Sequence, residues 1–210
     1  MAIVLYGNFG MTSPYVFSCM VALREKGLDF TMRTLHLEAD EQRNEVFESP
    51  SITGRVPALE HDGFWVAESS AIVEYLDEAF PAPAYRRCLP EGMRERARAR
   101  QIMSWIRSDL LALREERSTT TIFLGEPKKP FSPAGKAAAD KLVRVAERLV
   151  PEGSSTIFGS FTVVDADLAM MLMRLVANGD EVPARLRSFA ETQWARPSVR
   201  EFVDWPRKPA

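Results

Sequence analysis

Ser13 lies in the stretch Met11-Thr12-Ser13-Pro14-Tyr15, where a hydroxyl meets what reads as the start of a helix. Serine is a favoured N-cap, and Pro14 fits the first helical position because its missing N–H would have had no partner there. A hydroxyl in that place has two uses. It can simply cap the helix, or, beside free backbone N–H groups at the positive end of the helix dipole, it can hold an anion such as a thiolate or a phosphate. The adjacent Thr12 offers a second hydroxyl. Glu68-Ser69-Ser70, ahead of the apolar Ala71, Ile72, Tyr75 and Leu76, reads as another anion-friendly helix start. Between the two lies Val56-Pro57. In the ordinary trans form Pro57 opens a strand; in the cis form, about 5% of X-Pro bonds, the N–H and C=O of Val56 can face a ligand.

The elements that must carry these residues follow from period and turn chemistry. Ala2-Ile3-Val4-Leu5-Tyr6 is an apolar run of strand length, followed by the turn-rich Gly7-Asn8-Phe9-Gly10. Val16, Met20 and Leu23, widened by Phe17 and Val21, recur at helical spacing until Gly27 stops them. Alternation from Asp29 to Leu37 predicts a second strand, and if it pairs parallel to the first the crossover between them should be right-handed. The polar stretch Glu38 to Ser49 predicts a short irregular helix or loop ending near Pro50. His61-Asp62-Gly63 between apolar runs is a hairpin signal. Phe80-Pro81-Ala82-Pro83-Ala84-Tyr85 carries no helical period and reads as a linker.

Beyond the linker the pattern is helical throughout. One helix is predicted from Met93 to about Arg117, with Ile102, Ile106, Leu110 and Leu113 as its core stripe and a solvated, Arg-rich first half. Gly125 to Pro133 predicts a loop, and Ala134 to Val150 another helix. Thr162 and Asp165 form the pattern of a capping box, with Asp in the usual Glu or Gln place, ahead of a strongly apolar helix from Ala166 to Val176. Met170, Met171 and Met173 within it read as core filler. Pro183 to Trp194 and Pro197 to Val203 predict two short final helices. The expected fold class is an α/β unit followed by an all-α unit, with boundaries at 1–79, a linker at 80–92 and a helical domain at 93–210.

Composition narrows the function. The 210 residues are 46% hydrophobic and 27% charged, and 27 Lys+Arg against 29 Asp+Glu leave a net charge of −2. Such a balance predicts no nucleic-acid or membrane-surface partner. Without a signal-peptide pattern or an apolar run of spanning length, a cytoplasmic protein is expected. Two cysteines, Cys19 and Cys88, make no disulfide framework, and His36 and His61 have no Cys or carboxylate at ligand spacing, so no metal site is expected.

Taken together, Ser13-Pro14-Tyr15-Val16, Gly54-Arg55-Val56-Pro57-Ala58-Leu59, Glu68-Ser69-Ser70-Ala71-Ile72-Val73-Glu74-Tyr75-Leu76 and the Thr162-to-Asp165 box resemble the cytosolic glutathione S-transferases, and among them the bacterial members that use serine. The resemblance covers nearly the whole chain. It implies a thioredoxin-like glutathione-binding domain, an all-helical domain lining the second-substrate pocket, an active site between them, and a homodimer. It also implies that Ser13 donates a hydrogen bond to the glutathione thiolate and that Val56, before a cis Pro57, pairs its backbone with the cysteinyl part. Glu68 and Ser69 would hold the γ-glutamyl end, and Arg55 would approach the glycine carboxylate. Glutathione is then a co-substrate, conjugated to a small hydrophobic electrophile or, in the peroxidase form of the chemistry, used on a peroxide. The resemblance admits an alternative, a non-catalytic interaction protein on the same fold. The sequence departs from the isomerase-type Ser-x-x-Cys pattern, with Val16 in the fourth place, and Thr12 remains a second candidate for the hydroxyl.

Overall fold

The computed structural model describes residues 2–207. The chain forms two compact units, one reaching to Cys88 and joined by the described residues from Asp204 onward, the other spanning Leu89–Val203. In the first, β1 (Ile3–Asn8), α1 (Pro14–Glu25) and β2 (Thr31–Leu35) form the expected β-α-β start, with β1 and β2 parallel. Two 3-10 turns (Leu37–Ala39 and Glu41–Arg43) and the short α2 (Glu45–Ser51) lead to β3 (Ala58–His61), β4 (Phe64–Ala67) and α3 (Ser69–Ala79). The sheet order is β2-β1-β3-β4, with β3 antiparallel to both neighbours.

Alternation along β1 sends side chains to two cores. Ile3 and Leu5, with Leu59 of β3, lie on the face covered by α1 and α3. Gly7 continues that face because a Cβ there would stand 3.0 Å from Val16 Cγ1, so α1 approaches the strand closely. On the other face Tyr6 stacks on Trp65 at 4.8 Å and meets Phe47 of α2 edge-on at 5.4 Å. The hairpin between β3 and β4 turns on Asp62 and Gly63, at φ 47° and 87°, the two positive values that a type I′ turn requires.

The polar stretch before the hairpin forms short irregular helical turns that end close to Pro50, as expected: α2 runs one residue past Pro50, which sits in its last turn. Proline there forfeits one hydrogen bond rather than a series, and the helix ends two residues later at Ile52, φ 65°.

The second unit is all helical: α4 (Met93–Ser108), α5 (Leu111–Glu116), α6 (Thr119–Phe123), α7 (Pro133–Leu149), α8 (Val163–Val176), α9 (Ala184–Trp194) and α10 (Pro197–Val203). The single helix expected from Met93 to Arg117 is interrupted. Asp109 accepts from Trp105 Nε1 (3.0 Å), from the Leu110 N–H (2.7 Å) and from Lys141 Nζ, and Leu110 turns to φ 61°. Those bonds, Lys141 foremost, hold the Asp109 carboxyl below the usual carboxylate range. Ile102, Ile106, Leu110 and Leu113 are all buried as the stripe predicts, but they are divided between elements.

Helix α8 is buried on every side from Val163 to Leu175, methionines included, which marks it as the centre of this unit. Its start is closed by Asp165, which accepts from the Thr162 N–H (2.7 Å), the Thr162 hydroxyl (2.9 Å) and the Ile157 N–H (2.7 Å). Burial pushes the Asp165 carboxyl up, and those three donors oppose the rise. Among the described residues no helix is long and apolar enough to cross a membrane.

Candidate active site

The sheet register assembles the candidate residues. Tyr6 pairs with Ala58, and Ala58 with Ala67. Beyond Tyr6 the chain runs out of β1 toward Ser13; just before Ala58 stand Val56 and Pro57; just after Ala67 come Glu68 and Ser69. Because β3 is antiparallel to both β1 and β4, all three segments emerge at one end of the sheet, where β1 and β4 end and β3 begins. The register starts at Ala58, so the N–H and C=O of Val56 lie outside the ladder, and the Val56-Pro57 bond is cis. Arg55, one residue farther out, is exposed.

Ser13 is the N-cap of α1, at φ −69° and ψ 120°, with Pro14 at the first helical position. Its Oγ accepts from the N–H groups of Tyr15 and Val16, both at 3.3 Å, and its carbonyl accepts from Phe17 at 3.0 Å. Its own N–H donates to Asn8 Oδ1 at 3.2 Å. The free backbone N–H groups expected at this helix start are therefore all spent. What remains is the Ser13 hydroxyl hydrogen. A hydroxyl has one donor and two acceptor sites. Both acceptor sites are filled here, and the donor has no acceptor among the described residues. Two incoming N–H bonds polarise the hydroxyl and strengthen what it donates.

Thr12 stands beside it with its Oγ1 accepting from Asn8 Nδ2 at 3.0 Å. Asn8 thus sets both hydroxyl-bearing residues, one through each atom of its amide. Nothing in the sequence singled it out, since an Asn in a Gly-rich loop ordinarily serves only a turn. The loop between is tight: Met11 is fully buried at φ 46°, and its N–H donates to the Asn8 carbonyl at 2.9 Å.

The start of α3 differs from that of α1. Its N-cap is Glu68, at φ 68°, and the Glu68 side chain makes no cap bond; Ser69, expected at or near the cap, is the first helical residue and is buried. The Ile72 N–H reaches the Glu68 carbonyl at 2.9 Å, whereas the N–H groups of Ser70 and Ala71 have no acceptor among the described residues. Orphan donors of this kind at a helix start suit a carboxylate. Glu68 itself is exposed, and its carboxylate has no partner among the described residues.

Both cysteines are buried thiols. Cys19 is buried two turns into α1 against the Ser69 carbonyl (3.9 Å), and burial pushes the Cys88 thiol up to about 12. Among the described residues no three His, Cys, Asp or Glu side chains cluster as metal ligands would.

Known proteins resemble the chain along nearly its whole length. Residues 12–79 match the glutathione S-transferase N-terminal domain, and residues 92–208 match the glutathione S-transferase C-terminal domain. The chain is 28% identical over 174 residues to mouse glutathione S-transferase theta-3, covering 80% of this chain and 69% of that one. It is 36% identical over 112 residues to rat maleylacetoacetate isomerase, covering 52% of this chain and about half, 50%, of that protein's length. Among solved structures, a glutathione transferase homologue from Burkholderia with bound glutathione aligns at a TM-score of 0.79 with 42% identity, covering 97% of both chains. A thioredoxin-like α/β unit carrying an N-capping serine, a cis Val-Pro and a Glu-Ser helix start, followed by an all-helical unit, accounts for these matches in physical terms, and the chain belongs to the glutathione S-transferase family.

Proposed function

We propose that this protein is a glutathione transferase that conjugates the glutathione thiolate to small hydrophobic electrophiles, with peroxide reduction as a second use of the same thiolate. The observation that carries the reading is the Tyr6–Ala58–Ala67 register, which sets the Ser13 loop, Val56 and the Glu68–Ser69 turn at one end of the sheet. The Burkholderia homologue with bound glutathione supports glutathione as the co-substrate.

Each residue then has a task. Ser13 donates its uncommitted O–H to the thiolate, Val56 pairs its backbone with the cysteinyl residue, and Pro57 holds that backbone at this end of the sheet. Ser69 and the orphan N–H groups of Ser70 and Ala71 take the γ-glutamyl carboxylate, Glu68 takes the γ-glutamyl ammonium, and Arg55 approaches the glycine carboxylate. Residues 1–79 act as the glutathione-binding domain, 80–92 as a linker and 93–210 as the helical domain lining the second-substrate pocket. The working form is a cytoplasmic homodimer.

The energetics are adequate. A free thiol with a pKa near about 8.5 is a few per cent thiolate at neutral pH, and lowering it by about two units requires roughly 2.7 kcal/mol. A hydrogen bond to a charged acceptor supplies about 1.5–3 kcal/mol, and the end of α1 about 0.3–1 kcal/mol more. Ser13 acts as a donor that stays protonated, so no base is needed.

Glutathione-dependent isomerisation is a second reading, favoured by the identity to the rat isomerase. Against it, Val16 is buried and fills the place of a cysteine in the isomerase-type pattern.

The deciding experiment titrates the bound glutathione thiol by its thiolate absorbance in wild type, Ser13→Ala and Thr12→Ala, with turnover measured on a general electrophile and a peroxide. The expected result is a lowered thiol pKa that only Ser13→Ala raises, with a parallel fall in turnover. Wild type that binds glutathione without lowering its pKa or turning over would replace this reading with that of a non-catalytic interaction protein.

A further inference from the structure

The described residues from Asp204 onward return to the first unit. Asp204 and the described residues after it pack with residues up to Cys88 rather than with the helices they follow. There Arg207 donates from Nε (3.1 Å) and Nη2 (3.0 Å) to a single acceptor, the carbonyl of Met11, and from Nη1 to the Trp205 carbonyl (3.1 Å). Burial draws the guanidinium down to about 10, with Asp204 acting in the opposite direction, so Arg207 is charged throughout the neutral range.

Met11 is the residue on which the loop before Ser13 turns. Its φ of 46° is sparsely populated by residues with a side chain, and such conformations persist where their surroundings over-determine them. Three restraints do so here. The Met11 side chain is fully buried, its N–H is bonded to Asn8, and its carbonyl takes both lone-pair positions' worth of hydrogen bonds from Arg207. Asn8 holds the loop from the strand side, and Arg207 holds it from the end of the chain, 196 residues away in sequence.

We infer that Arg207 is a positioning residue for the Ser13 hydroxyl, acting through the Met11 carbonyl to fix the loop that aims that donor. This rests on the reading of Ser13 as the thiolate's donor. The planar fork of arginine matters, because two N–H groups converging on one carbonyl restrain direction as well as distance, which a single rotatable ammonium does not. A donor displaced by a fraction of an ångström loses hydrogen-bond strength to the thiolate without loss of the peptide-binding contacts made by Val56 and Ser69.

The test is a double-mutant cycle of Arg207→Gln and Ser13→Ala, with Arg207→Lys alongside, read by the pKa of bound glutathione, by kcat and KM, and by hydrogen exchange of the Gly10–Val16 segment. Arg207→Gln should speed exchange in that segment, raise the thiol pKa and lower kcat about tenfold, leaving KM for glutathione within about twofold. In the Ser13→Ala background the same substitution should leave the thiol pKa where Ser13→Ala alone put it, since both act through one donor. Arg207→Lys should recover only part of the loss. The proposal is overturned if Arg207→Gln shifts the pKa equally in both backgrounds, or if Arg207→Lys restores it fully, because the guanidinium would then act by charge alone. It is also overturned if exchange and pKa stay at wild-type values. Wild type and Ser13→Ala with the same thiol pKa would instead refute the role of Ser13 and with it the chemical half of the proposal. The exchange comparison would still decide whether Arg207 holds the loop.

Discussion

Asn8 Oδ1 accepts the backbone N–H of Ser13 at 3.2 Å while Asn8 Nδ2 donates to Thr12 Oγ1 at 3.0 Å, so one amide at the end of β1 sets the residue that caps α1 and its neighbour. The consequence is a division of labour among hydroxyls. Thr12 gives Asn8 a lone pair and stays tied to the strand; Ser13 spends its lone pairs on the helix and keeps its hydrogen. Similar side chains therefore arrive at different roles through their partners.

Asn8→Ala should leave the Ser13 N–H without its acceptor. The expected outcome is a stability loss of about 1–2 kcal/mol, as for other lost, partly buried hydrogen bonds, and a higher pKa for the bound thiol. Asn8→Asp keeps the acceptor for Ser13, loses the donor to Thr12 and sets a negative charge near the thiolate. It should raise the thiol pKa more than Asn8→Ala does while costing less stability. Denaturant unfolding and thiolate titration of both variants check the pair; a larger pKa rise in Asn8→Ala would contradict the electrostatic part.

Lys26, the C-cap of α1, is buried with its Nζ bonded to Asp77 Oδ1 (3.0 Å), the Phe80 carbonyl (2.9 Å) and the Arg86 carbonyl (2.8 Å). Asp77 also accepts the Cys88 N–H at 2.8 Å, so this one cluster ties α1, α3 and the segment after α3 together. Lys26→Met strands a buried carboxylate and two carbonyls, and a loss of about 3–5 kcal/mol is expected. Lys26→Met with Asp77→Leu should recover part of it, because no buried charge is left unpaired. Equilibrium unfolding of the single and double variants is the measurement, and a double variant less stable than Lys26→Met would count against the account.

The Cys88 thiol makes alkaline stability pH-dependent. Burial raises its pKa to about 12 in the folded chain, whereas an unfolded thiol ionises near about 8.5. The unfolded state therefore loses its proton first. The stabilisation is complete below about pH 8.5 and falls by about 1.4 kcal/mol per pH unit above it, until the folded thiol also ionises. Cys88→Ala should have a flatter stability profile than wild type from pH 9 upward, in the range where this thiol's proton is retained only by the folded chain, whatever its offset at neutral pH. Parallel alkaline slopes for the two proteins would show that the thiol is not the titrating group.

Much of this molecule was legible in the chain because its signals are local. The cap and proline at Ser13-Pro14, the Asp62-Gly63 turn, the Thr162-to-Asp165 box and the start of α10 at Pro197 depend on residues a few positions apart, and the structure places elements there. The order of elements, an α/β unit and then helices, follows from the same short-range periods.

The remainder depended on partners remote in sequence. Whether α4 would continue past Ser108 was decided by Asp109, whose carboxylate gathers a tryptophan one turn back and a lysine from α7, a combination that periodicity alone does not contain. That α1 spends its N–H groups on Ser13 whereas those of Ser70 and Ala71 in α3 have no acceptor among the described residues is a matter of φ and ψ at the caps, since Ser13 is extended at φ −69° and Glu68 takes a positive φ of 68°. The two residues that hold the loop before Ser13, Asn8 and Arg207, lie at the end of β1, five residues before Ser13, and near the far end of the chain. Sequence alone determined which side chains can donate, accept or cap; the tertiary structure decided which of those capacities are used up, because hydrogen bonds are allotted by distance in space and each donor can be spent only once.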